Sequence, residues 1–139
     1  MAWSARELDH TADLGLDIEA DSLSELYRGG VLALTDLLTD RSAIRGRLSR
    51  RVRVTGPDVA ATLVFWMGEV IGEGEIHNEV YSDVRILEAT PACVEGELLG
   101  EPRDLERHPA RHEVKAVTWH DLDVGESDGR WFAHVILDI

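Results

Sequence analysis

The sequence predicts an α+β fold: one domain, mostly antiparallel sheet, interrupted by two long helices. Three observations carry that expectation. The chain has 139 residues, the length of one ordinary domain. Several short runs alternate apolar and polar residues, as half-buried strands require. Two longer stretches instead repeat their apolar residues at helical spacing, each behind a helix-start signal. No internal repeat, low-complexity tract or linker divides the chain, so residues 1–139 read as a single unit.

Taken in order, Trp3 to Leu8 and the alternating Leu14, Leu16, Ile18 and Ala20 predict two strands joined by a turn near Asp9–Asp13. Ser22 and Glu25 have the spacing of a capping box, in which hydroxyl and carboxylate satisfy two orphan N–H groups. Leu23, Leu26, Tyr27, Val31, Leu34, Leu37 and Leu38 then recur on one helical face, with an end expected near Thr39-Asp40. Gly29-Gly30 inside that helix implies close packing against a strand, since each glycine costs about 1 kcal/mol relative to alanine. Leu48 to Thr55 alternates again. Pro57 is expected in the first turn of a second helix, behind an N-cap at Thr55-Gly56. Ala60, Leu63, Val64, Met67, Val70 and Ile71 make its apolar stripe, and Gly72 and Gly74 are expected to end it. Four strands complete the chain: Val80 to Ile86, Val94 to Leu98, Val114 to Trp119 and Trp131 to Ile139. The last is apolar at nearly every position, the pattern of a central strand buried on both faces. Gly125–Gly129 is expected to be the turn before it.

Charge excludes some functions. Fourteen Lys and Arg against 27 Asp and Glu leave a net charge of −13, which repels polyphosphate over most of the surface. Direct nucleic-acid binding is therefore not expected; a cationic partner surface or a divalent cation fits better. The exception is local: Arg41, Arg45, Arg47, Arg50, Arg51 and Arg53 fall within one segment, either a solvated strand face or a docking patch. The single Cys93 supports neither an intrachain disulfide nor a thiolate zinc site, and reads as a small buried strand residue. No apolar run approaches the roughly 20 residues of a membrane helix, and the first residues lack a signal-peptide pattern. A cytoplasmic protein without membrane association is the expectation.

Few residues carry chemistry. Asp9-His10-Thr11-Ala12-Asp13 places two carboxylates and an imidazole in a strand connection, where hard oxygen ligands would suit Mg²⁺, Ca²⁺ or Mn²⁺. The same residue types also build turns without any metal. Asp138 sits beside Ile136, Leu137 and Ile139, and a carboxylate there is costly unless paired, exposed or bound to a cation. The carboxylate of Ile139 is one residue away and could join it. His10, His77, His108, His112, His120 and His134 show no zincin spacing, and neither a Gly-rich phosphate loop nor a Ser-His-Asp signature is present.

Five blocks taken together resemble the archease family: His10-Thr11-Ala12-Asp13-Leu14-Gly15, the helix end Leu37-Leu38-Thr39-Asp40, Leu63 to Glu69, His112 to His120, and Val135-Ile136-Leu137-Asp138-Ile139. Their order and spacing agree from Leu8 to the last residue. Ile71 to Glu75 departs from the family by its glycines. The resemblance implies a compact α+β fold and an accessory protein, not an enzyme. Its partner would be an RtcB-type RNA ligase that uses GTP and Mn²⁺ to join 3′-phosphate ends to 5′-hydroxyls. The accessory protein would promote the ligase's guanylylation and repeated turnover in tRNA splicing and RNA repair. It also implies a divalent cation (Ca²⁺, Mg²⁺ or Mn²⁺) held by Asp13 and Asp138 with Ile139 as a third ligand, Asp40 as a weaker candidate, and Lys115 as a residue touching the ligase. Two other readings of the residues stay open: a generic chaperone or modulator of nucleic-acid enzymes, and a small metal-dependent phosphoesterase built on Asp13, His10 and Asp138.

Overall fold

The structure, a computed structural model, describes residues 2–9 and 13–139. Among these residues eight strands and two long helices follow in the order β1 (Trp3–Asp9), β2 (Asp13–Ala20), α1 (Leu23–Leu38), β3 (Leu48–Thr55), α2 (Val59–His77), β4 (Glu79–Thr90), β5 (Cys93–Pro102), β6 (Ala116–Val117), β7 (Asp123–Ser127) and β8 (Arg130–Asp138), with a 3-10 turn at Arg41–Ala43. One sheet runs β1-β2-β8, its far edge shared by β6 and β7; the other runs β3-β5-β4. Every pairing among the described residues is antiparallel. The helices lie between the sheets, α1 touching β1, β2 and β8 on one side and β4 on the other. Neither helix is long and apolar enough to cross a membrane.

Local chemistry explains the helix boundaries. Ser22 Oγ accepts from the Glu25 N–H at 3.1 Å and opens α1. Only half of the expected capping box forms, because the Glu25 carboxylate turns to Arg28, 3.2 Å away. The glycine pair is a packing device on two sides. A Cβ at Gly29 would lie 3.2 Å from side-chain carbons of Ile18 and Trp3, and one at Gly30 would lie 3.3 Å from Met67 on α2. The first contact is the expected approach to strands; the second is helix on helix. Trp66 of α2 is fully buried beside Gly96 of β5, its indole N–H donating to the Tyr27 carbonyl of α1 at 3.0 Å.

The second helix corrects two expectations. Asp58, not Thr55-Gly56, is the N-cap, accepting from the Ala61 N–H at 2.8 Å, so Pro57 precedes the helix rather than entering it. Nor do Gly72 and Gly74 stop it. The helix continues to His77 and ends where Asn78 turns left-handed, φ 52°, with its N–H on the Gly74 carbonyl. Interior glycine weakens a helix without terminating it; a residue outside the helical basin terminates it. In the last third, the strand expected over Val114 to Trp119 shrinks to Ala116–Val117. Most of the expected turn is strand β7 instead, and the reversal uses only Asp128 and Gly129, both at positive φ. Two left-handed residues give the tight hairpin whose twist matches its strands.

Cys93 is buried on β5, and burial pushes its thiol pKa up. The nearly irregular stretch from Arg103 to Lys115 is anchored by Glu101, whose side chain is 1% exposed. That carboxylate receives Arg107 at 2.7 Å, the Arg45 backbone N–H at 2.8 Å and His108 Nε2 at 2.9 Å. Because His108 Nδ1 accepts from the Asp104 N–H at 2.9 Å, its proton belongs on Nε2, which donates to Glu101.

Candidate functional site

The alternation of β2 decides which way its acids face. Leu14, Leu16, Ile18 and Ala20 are buried in the core, so Asp13, Asp17 and Glu19 share the sheet face directed away from the helices. On β8, Ala133, Val135 and Leu137 enter the same core, which leaves His134 and Asp138 on that outer face as well. The register then sets Asp13 directly opposite Asp138 and Asp17 directly opposite His134.

These two pairs differ in their electrostatics. Asp17 accepts from His134 Nδ1 at 2.6 Å and from Arg6 at 3.1 Å. Those bonds, the histidine's first, hold its carboxyl below the usual aspartate range. Asp13 faces another carboxylate instead. Side chains directly opposite in an antiparallel pair have Cβ atoms about 4.5–5.5 Å apart, and like charges there destabilise the sheet. Both aspartates are half-buried. A cation between them would convert the cost into a gain.

The remaining neighbours come from the other flank of β8. Ala116 pairs with Asp138, and the Lys115 N–H donates to the Asp138 carbonyl at 2.8 Å. Lys115 is exposed, and Ile139 is half-buried next to Asp138. The residues present suit a hard divalent cation by donor chemistry, since the facing groups are oxygen donors of two different strands. Among the described residues no group of three or more His, Cys, Asp and Glu side chains gathers. Two carboxylates would therefore need backbone or terminal oxygens, such as those of Ile139, or water to complete a shell. His10 lies outside the described residues. Asp40 is otherwise engaged: it caps the 3-10 turn, its Oδ1 accepting from the Ser42 hydroxyl at 2.7 Å and N–H at 3.1 Å, and those bonds lower its carboxyl pKa.

The arginine segment is largely neutralised within the molecule. Arg41 pairs with Asp36, Arg47 with Glu101, Arg50 with Glu79, and Arg51 and Arg53 with Glu95. Register explains part of this, since β3 sets Arg51 and Arg53 opposite Glu97 and Glu95. The acidic partner strand makes the segment a solvated, charge-paired face. Sequence reasoning missed the Arg6–Asp17–His134 row altogether. Its histidine and aspartate are 117 positions apart, and only the pairing of β2 with β8 joins them.

Residues 6–139 match the archease protein family. The chain is similar to the protein archease of Methanopyrus kandleri, with 35% identity over the whole of both chains. It is 32% identical to that of Pyrococcus abyssi, over 94% of this chain and 95% of the relative. The solution structure of protein 1598 from Methanobacterium thermoautotrophicum superposes with a TM-score of 0.80 at 31% identity, covering 97% of this chain and 98% of that one.

Proposed function

The chain belongs to the archease protein family, and on that premise we propose that it is a metal-binding accessory protein rather than a catalyst. In this reading it activates an RtcB-type, GTP-dependent RNA ligase that joins 3′-phosphate ends to 5′-hydroxyls. It promotes the ligase's guanylylation and its repeated turnover in tRNA splicing and RNA repair.

The observation that carries the reading is the register of Asp13 against Asp138. Nothing in the packing of a sheet requires two half-buried carboxylates to face each other, and their repulsion works against folding. A site for Ca²⁺, Mg²⁺ or Mn²⁺ gives that cost a purpose. A bound cation would supply a positive charge able to attract anionic oxygens at this end of the sheet. Asp13 and Asp138 hold it, an oxygen of Ile139 completes the set, and the Lys115 N–H bond fixes the backbone of Asp138. The Lys115 side chain, one residue ahead of β6, extends towards the ligase.

Activation also needs a difference in affinity between ligase states. A protein that binds all of them equally shifts none. The net charge of −13 suits docking to a positive, RNA-binding face, so the state whose nucleotide and metal groups fit the Asp13–Asp138 end is the one favoured.

The test is guanylylation of a cognate ligase with GTP and Mn²⁺, with and without this protein. Wild type is expected to stimulate, and Asp13→Ala, with an intact circular-dichroism spectrum, to fall to the unstimulated rate. Stimulation that survives in the variant would remove Asp13 as an essential ligand. No stimulation of a verified, active ligase would overturn the reading.

A further inference from the structure

A groove of about 690 Å³ opens between β3, α2 and the segment from Lys115 to Trp119. Val54, Ile71 and Val117 line it, and Phe65 and Trp119 stand in it, their rings edge to face at 5.5 Å and 77°. Despite that contact Phe65 remains 42% and Trp119 55% exposed. Lys115 also lines the groove. It is the only lysine of the chain, and it forms no ion pair among the described residues, whereas Arg50, Arg51 and Arg53 each reach a glutamate.

We propose that this groove is the surface by which the ligase grips the protein, taking an apolar or aromatic side chain of the ligase between Phe65 and Trp119 with a neighbouring carboxylate on Lys115. The proposal rests on the accessory reading above and says where the partner sits. Two arguments select the occupant. The first is continuity: Lys115 bonds through its N–H to Asp138, and Ala116 pairs with it. The groove on the helix side and the carboxylate pair on the outer side therefore flank the same short edge strand, and a partner that wraps that edge touches both. The second is charge. Besides Lys115 the groove is lined by Arg53, which pairs with Glu95, and by the exposed Glu69. Lys115 is the cation there without an ion pair among the described residues, and on a surface of net charge −13 it is where a carboxylate is attracted. A second copy of this chain is disfavoured, because it brings its own −13 to the encounter. The aromatic pair has the character of an interface anchor, large and rigid at the centre of a contact, where truncation costs most.

The experiment compares ligase affinity for wild type, Trp119→Ala and Phe65→Ala, with melting curves for each and the guanylylation assay in parallel. Trp119→Ala is expected to weaken binding about 30-fold or more, with an unshifted melting temperature. A footprint on the wild type avoids any dependence on variant folding. Acetylation at the sole lysine, followed by peptide mapping, is expected to slow at least several-fold when the ligase is bound. Stimulation by wild type with unchanged affinity in both variants and no protection of Lys115 overturns the groove and leaves the accessory reading standing. Absence of stimulation removes the accessory reading itself. A concentration-dependent dimer of this protein that Trp119→Ala dissolves would reassign the groove to self-association and overturn the proposal.

Discussion

Single residues in this protein show how strongly sign depends on surroundings. On one sheet face of β2, Asp17 meets a histidine and an arginine while Asp13 meets an aspartate. The same side chain in the same kind of strand meets cationic partners in one place and an opposing acid in the other. Glycines show the same dependence and yield a paired prediction. Gly100 on β5 lies where β4 bulges between Tyr81 and Asp83, and a Cβ there would fall inside the van der Waals shell of the Val80 carbonyl. Backbone cannot move aside as a flexible side chain can. Gly100→Ala is therefore expected to destabilise by roughly 1–3 kcal/mol. At Gly72, inside α2, an added methyl would meet no neighbouring atom within 4 Å. Gly72→Ala is expected to stabilise by about 0.4–1 kcal/mol, through helix propensity and reduced freedom of the unfolded chain. Urea denaturation of both variants checks the opposite signs, and a Gly100→Ala midpoint equal to wild type would contradict the packing argument.

At the scale of elements, the end of α2 is decided by one backbone conformation. Asn78 holds φ 52° and ψ 55°, a region that costs ordinary residues about 1–2 kcal/mol and that asparagine and glycine enter most readily. Asn78→Gly is expected to leave stability within about 0.5 kcal/mol of wild type, and Asn78→Val to lower it by at least about 1 kcal/mol; thermal melts followed by circular dichroism distinguish the two. This cap also shows what is legible in the sequence. Amphipathic spacing identifies both helices and the longer strands, because burial of one face imposes a period on the sequence. Ser22 marks the start of α1 because N-capping is local chemistry. The end of α2 escapes because the glycines at 72 and 74 are conspicuous while the left-handed asparagine at 78 is not. The two-residue β6 carries no period, and β7 is hidden by Gly125, whose missing side chain makes room beside the Phe132 ring. For the site, Asp13 and Asp138 are each visible as carboxylates in unusual settings. Their adjacency is not, because it depends on the first hairpin pairing with the last strand. Glu101, Arg107 and His108 give no signal at all, since a buried ion cluster follows neither helical nor strand periodicity.

For the whole molecule, acid stability follows from how these carboxylates are held. Glu101 is pulled from 4.5 to about 2, first by Arg107, then by the Arg45 backbone N–H and His108. Arg50 likewise lowers Glu79, and His134 lowers Asp17. Each folded pKa lies below its unfolded value, so the unfolded chain binds more protons in acid, and stability rises with pH through the interval between the two values. The contribution is complete above about pH 5 and is lost as pH falls from there towards 2. Self-repulsion acts in the opposite direction over a different range. Between pH 7 and the pI near 4.7 the excess of acids over bases shrinks, which relieves the compact state. The two effects combine into an asymmetric profile: a melting temperature flat or slightly rising from about pH 7 to 5, then falling steeply below about 4.5. Glu101→Gln separates them. It keeps nearly all of the global charge while removing the carboxylate that receives Arg107 and His108, so it is expected to melt lower than wild type at neutral pH and to have a shallower acid limb. Melting curves from about pH 7 to 2.5 on both proteins provide the check. A wild-type melting temperature unchanged between about pH 5 and 3 would mean that these ion pairs are not coupled to folding.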